Sequence, residues 1–193
     1  MCWQDMIKDD MNLRHGERNY HDEVFEQEIN ELINITQSHY EASVESFSSL
    51  HHPPNSSIFL YSTNYKDALK YGFYELQSAR DWYREVTSDV GMHSSLVTYW
   101  IRTAALLVTP IAPHFAEHIW SGILKEPQSI QLARWPTPST PVDRTLLEAA
   151  QYMRGTIKTI RDAEASLAKM MSKGKGKKGG EKMFDSKKPS PST

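Results

Sequence analysis

Apolar residues return every three or four positions along most of this chain, the period of an amphipathic helix. In residues 21–43, Phe25, Ile29, Leu32, Ile33, Thr36 and Tyr40 fall on one face, while Glu26, Glu28 and Glu31 take the wet side. A second helix is predicted over 64–86, with Asn64 as its N-cap. Its stripe is Leu69, Phe73, Leu76, Ala79 or Arg80, and Tyr83. A third covers 94–108 and turns Leu96, Val97, Trp100, Ile101, Ala104 and Leu107 inward. The fourth starts either at Pro110 behind a Thr109 cap or at Pro113, since proline at the first helical position loses no hydrogen bond. It runs to about Leu124, with Ile111, Phe115, Ile119 and Trp120 expected to pack inward.

Residues 125–143 contain four prolines and read as a loop lying along the surface. Helical periodicity then resumes from Val142 to Met171. No stretch alternates with the period of two that a half-buried strand requires. The fold class is therefore all-α, an antiparallel helical bundle with short or irregular connections. Two segments break the pattern. Residues 44–63 are rich in serine and contain Pro53-Pro54, and residues 172–193 are rich in Lys, Gly, Ser and Pro with no apolar period. The second is expected to be a disordered tail.

Composition adds limits to this picture. A chain of 193 residues can bury a core of ordinary size. Cys2 is the lone cysteine, which excludes an intrachain disulfide and a cysteine-based zinc site. The first ten residues lack a basic segment followed by an apolar run, so no secretory signal is read there. The most apolar stretch, Ala104–Ala112, falls short of the about 20 residues a membrane span needs. The net charge of -2 conceals a division: residues 1–168 carry 14 basic and 22 acidic side chains, residues 169–193 carry 8 lysines and 2 acids. A basic tail on an acidic body suits attraction to a polyanion, and equally a solvated end.

The candidate chemistry is sparse. His114, Glu117 and His118 spell H-x-x-E-H, the string of inverted zinc peptidases. Two histidines four apart share a helix face, and a glutamate beside them can act on bound water. A catalytic zinc wants a third ligand, and the downstream acids such as Glu148 and Glu164 occupy solvent-facing positions, so no metal and no catalytic residue is assigned. A zinc hydrolase stays as a minor alternative, and a standalone helical interaction module as another. Lys169–Lys173 spell KMMSK, an imperfect KMSKS string, and the glycine–lysine run after it lacks the G-K-[ST] closure of a phosphate loop. Lys66, Lys70, Gln77, Arg80 or Asp81, and Arg84 make a polar, mainly basic helix face that could touch an RNA backbone without reading bases.

The segments NYKDALKYGFYELQSARDWYRE and LLVTPIAPHFAEHIW together resemble the C-terminal region of leucyl-tRNA synthetases of the archaeal and eukaryotic cytosolic type. The second segment alone resembles the anticodon-binding bundle common to the Leu, Ile, Val and Met enzymes. SIQLARWP and DRTLLEAAQYMRGTIKTIRDAE continue the likeness, which spans about residues 3–43 and 64–188. No H-x-G-H occurs, and KMMSK follows the bundle where the family's KMSKS precedes it. The resemblance therefore implies a fragment that lacks the catalytic and editing domains, with a further tRNA-binding domain expected beyond it.

On that resemblance, residues 1–171 form an anticodon-binding-type bundle, residues 44–63 an insertion within it, and 172–193 the tail. It also implies a cytoplasmic ligase that uses ATP with magnesium in its full-length form, with no cofactor held by this chain. The implied partners are tRNA(Leu) and the catalytic domain of the same enzyme, with neither membrane nor DNA. Many anticodons encode leucine, so backbone or shape contact is implied more than anticodon reading. The candidate tRNA contacts are Lys66, Lys70, Arg80, Arg84 and Arg102, joined by the tail lysines Lys173, Lys175, Lys177 and Lys178.

Overall fold

The computed structural model describes residues 13–48 and 65–176, with the side chains of 44–48 and 172–176 outside the description. The described residues form helices and no strand; one isolated bridge joins Arg14 to His93. Helix α1 is Tyr20–Ser48. Residues 65–86 make one continuous helix whose middle, Lys70–Glu75, opens into a π turn before α2, Leu76–Val86. Helix α3 is Ser94–Val108. Helix α4, Pro113–Glu117, continues as a second π segment, His118–Ile123. A 3-10 turn at Ile130–Leu132 interrupts the proline-rich loop, and α5 is Arg144–Gly176. Contacts divide the chain into two compact units, Met1–Leu147 and Glu148–Thr193.

Each predicted helix is present and α3 agrees at both ends, whereas α1 and α5 run past their expected ends into the two segments expected to break the helical pattern. Pro113, not Pro110, takes the first helical position of the fourth helix. Helix α1 continues to Ser48, and α5 reaches Gly176. Residues 49–63 of the expected insertion and 177–193 of the expected tail lie outside the described residues, as do Cys2 and Asn64.

The first unit is built around α3, which packs against α1, the Lys70–Glu75 turn, and α4 with its π extension. All six residues expected to point inward from α3 are buried, and Thr103, Ala105 and Val108 join them, so this helix is enclosed on more than one side. Phe25, Ile29 and Ile33 of α1 and Leu76, Ala79 and Tyr83 of α2 complete the core. The choice between Ala79 and Arg80 thus falls to alanine. Gly72 sits where helices cross closely: a Cβ there would lie 2.8 Å from Thr36 Cγ2 and 3.4 Å from Leu107 Cβ.

Two expectations about which residues face the core need correction. Ile111 and Phe115 are 39% and 43% exposed, while Ala116, Ile119 and Trp120 carry the inward face of the fourth helix. Ile111 lies in the turn before the helix begins at Pro113, and Phe115 falls in its exposed first turn, so the inward face starts only at Ala116. Glu26 was expected on the wet side and is buried, where its carboxylate accepts from Arg18 and, at 2.8 Å, from the Ser139 hydroxyl.

Buried polar groups tie the pieces of this unit together. Asn19 and Asp22 cap α1 reciprocally, with Asp22 N–H donating to Asn19 Oδ1 at 3.0 Å and Asn19 N–H to Asp22 Oδ2 at 2.7 Å. Asp22 also accepts from Arg14 and from the Tyr83 hydroxyl, which in turn accepts the His93 backbone N–H at 2.8 Å. Burial pushes the Asp22 carboxyl up, but the hydrogen bonds from Arg14, Tyr83 and Asn19 outweigh it and hold the pKa below its ordinary value. Burial and the neighbouring carboxylate push the Tyr83 phenol up. Asn30, fully buried, accepts from Tyr99 Oη at 2.8 Å and from Ser139 N–H at 3.1 Å, and donates to Thr140 O at 3.2 Å. Gln27 accepts from Asp143 N–H at 2.8 Å. These bonds hold the proline-rich loop against α1 and α3.

Candidate RNA-facing surface

The candidate contact residues occupy different settings. Lys66 and Lys70 are exposed one turn apart on the helix over 65–86. The Lys70 ammonium stands 4.8 Å from the centre of the Tyr71 ring, which stacks on His39 at 5.3 Å. Arg84 is exposed, with its guanidinium 3.5 Å from Asp81. The Arg80 side chain is only 12% exposed: it lies 4.9 Å over Trp100 and bonds Asp81 at 2.7 Å. Arg80 and Arg84 thus share one carboxylate, which competes with a phosphate for both.

Arg102 lies 4.9 Å over the Trp120 ring and pairs with Glu126 at 2.6 Å. It lines a groove with Leu106, Gln128 and Arg134. Arg134 is exposed, and the sequence reading missed it because one arginine in a loop has no period to flag it. Lys173 and Lys175 fall within α5, where only the backbone is described, and Lys177 and Lys178 lie outside the described residues. Trp82 is half-buried and Trp100 fully buried, the second a core residue whose indole N–H donates to Leu76 O at 2.8 Å.

The H-x-x-E-H string has another use. Glu117 Oε2 accepts from the Ser129 hydroxyl at 2.8 Å and from Ile130 N–H at 2.9 Å, so it caps the 3-10 turn in the loop. His114 and His118 are exposed, and the His118 ring lies along Gly122. Among the described residues no group of three His, Cys, Asp or Glu is placed to hold a metal ion. The described helix starts at Tyr20 and Arg144 are also filled, by Asn19 with Asp22 and by Asp143, whose carboxylate accepts Thr145 N–H at 2.9 Å. Neither offers a cradle for ATP phosphates.

The model of the anticodon-binding domain of tRNA ligases matches residues 59–176. The chain belongs to this family. As an anticodon-binding domain it is similar to three fungal proteins over nearly its whole length. A putative cytoplasmic leucine–tRNA ligase of Schizosaccharomyces pombe is 45% identical over 187 residues, which are 96% of this chain and 15% of that protein. The cytoplasmic leucine–tRNA ligases of Neurospora crassa and Saccharomyces cerevisiae are 40% and 38% identical, each aligned over 97% of this chain and 15% of their own length. The chain therefore spans about a seventh of these relatives. No helix among the described residues is long and apolar enough to cross a membrane.

Proposed function

We propose that this anticodon-binding domain is part of a cytosolic leucine–tRNA ligase and supports tRNA(Leu) while other domains carry out the chemistry. The observation that carries the reading is the alignment of 96% of the chain with one limited stretch of a leucine–tRNA ligase. The full enzyme joins leucine to tRNA at the expense of ATP, with magnesium; this domain contributes no catalytic residue. Its contribution is to hold the RNA backbone and to pack against the catalytic domain. The exposed lysines Lys66 and Lys70, with Arg84 and Arg102, meet phosphates, and Lys173, Lys175, Lys177 and Lys178 add attraction without sequence preference. Arg80 acts from beneath, fixing Asp81 and thereby the position of Arg84.

Binding of this kind releases counterions, so affinity falls with salt by roughly 0.7–0.9 of a decade per decade of salt for each phosphate neutralised. The purified chain is expected to bind tRNA(Leu) in a filter or fluorescence-anisotropy titration with such a slope. Lys66→Ala with Lys70→Ala should flatten it by roughly 1.5. Equal binding at low and high salt would overturn the electrostatic assignment.

We further infer that residues 44–63 derive from a retained intron or a misplaced splice junction. The reading is supported by the serine-rich stretch with Pro53-Pro54 that separates two segments resembling adjacent parts of the family. Sequencing the spliced transcript is expected to show a message without this stretch; one that encodes VESFSSLHHPPNSS counts against it.

A further inference from the structure

We propose that Thr140 is a phosphorylation site for a proline-directed protein kinase, and that its phosphate releases the segment 139–143 from α1. Four Ser/Thr-Pro pairs occur in the sequence, beginning at Thr109, Thr137, Thr140 and Ser190. A kinase of this class takes its substrate extended, with proline following the reacting hydroxyl. Thr109 is helical, and its hydroxyl donates to Ala105 O at 2.8 Å. Ser190 lies outside the described residues. Thr137 and Thr140 are exposed in irregular backbone, where the following proline favours an extended conformation.

The Thr140 hydroxyl is part of the loop's attachment to α1. Its oxygen accepts from Gln27 Nε2 at 2.9 Å and from Asn30 Nδ2 at 3.1 Å. A hydroxyl oxygen has two lone pairs, so both are occupied while the loop is attached. Phosphoryl transfer needs one of them. It attacks the γ-phosphorus of ATP, and the new P–O bond forms as the bond to the β-phosphate oxygen breaks. ADP leaves, and the hydroxyl proton passes to the kinase's carboxylate base. The attached loop is therefore a poor substrate, and the kinase acts on the locally opened one.

The product resists reattachment. An ester oxygen bonded to phosphorus is a weaker acceptor than a hydroxyl, so both amide bonds lose strength. The phosphate also adds a charge of about −1.5 to −2. It joins a segment in which Ser139 donates to the buried Glu26 carboxylate at 2.8 Å and Asp143 carries a carboxylate of its own. Arg18 is already engaged by Glu26. A phosphate placed beside carboxylates disrupts by repulsion.

The test incubates the full chain with ATP, magnesium and a cyclin-dependent kinase, and maps the phosphate by mass spectrometry. Phosphate is expected on Thr140; phosphate confined to Thr137 or Ser190, or none at all, overturns the site. Gln27→Ala frees a lone pair of Thr140 Oγ1 and removes the acceptor of Asp143 N–H, so it should speed modification of Thr140 about tenfold. An equal rate overturns the control that attachment exerts on the reaction. In the phosphorylated chain, hydrogen exchange at the Ser139 and Asp143 N–H groups should accelerate about tenfold. Unchanged or slower exchange overturns the release. That measurement uses the unsubstituted sequence, so it decides the matter even where Gln27→Ala disturbs folding.

Discussion

Asp22→Ala is expected to destabilise the first unit by about 2–3 kcal/mol, from hydrogen bonds to a buried carboxylate and the lost helix cap. The carboxylate is fully buried and accepts hydrogen bonds from the Arg14 guanidinium, the Tyr83 hydroxyl and the Asn19 N–H. Its loss leaves the buried Tyr83 hydroxyl without its acceptor and the partly exposed Arg14 without its carboxylate, and removes half of the cap of α1. Urea denaturation at neutral pH measures the effect. Acid should mimic the substitution in the wild-type chain. Folding lowers the Asp22 pKa, so its stabilising contribution is complete above the unfolded value, near pH 4. It is lost as pH falls through the lower folded value. The difference in stability between wild type and Asp22→Ala should therefore shrink below about pH 4. A difference constant from pH 7 to pH 2 would show that the carboxylate acts through shape alone.

Two glycine substitutions should move stability in opposite directions. Gly155 lies in α5, and a Cβ built there meets nothing within 4 Å. Gly155→Ala is expected to gain about 0.5–1 kcal/mol in helix propensity. Gly72→Ala has the same propensity gain, but its methyl would press to 2.8 Å from the fully buried Thr36 side chain, with Leu107 behind it. Thr36 is held in the core and cannot swing away, so overpacking of about 1–3 kcal/mol should dominate. Thermal melts of both variants read the signs directly. Pairing Gly72→Ala with Thr36→Ser, which removes the offending Cγ2, should recover part of the loss.

What was legible in the sequence followed from periodicity. Leu96, Val97, Trp100, Ile101, Ala104 and Leu107 repeat at helical spacing over an uninterrupted helix, and all six are buried. The same rule failed at Ile111, which lies in the turn before the helix begins at Pro113, and at Phe115 in that helix's first turn. Buried Asp22, Glu26 and Asn30 were illegible for a different reason: their partners lie far along the chain, Tyr83 61 residues from Asp22 and Thr140 110 residues from Asn30. A carboxylate or amide on a helix reads as solvated until tertiary structure supplies its partner. Among the candidate contacts, the exposure of Lys66 and Lys70 follows from their positions between apolar turns. The position of Arg80 over Trp100 depends on how α2 meets α3, which no local pattern encodes.

The hold of Asn30 and Gln27 on the loop also sets an order of events. Bonds from Asn30 to Thr140 and from Gln27 to Asp143 close rings of 110 and 116 residues. Their entropic cost must be met before they return any stabilisation. Asn30 meets Ser139 and Thr140 on the same side as Tyr99 of α3, so its binding site is complete only after α1 and α3 have joined. The proline-rich loop is therefore expected to close late, as a clasp over a bundle already assembled, which substitutions at Asn30 would read as faster unfolding with little change in folding rate. Contacts made that late govern how fast the native state opens more than how fast it forms.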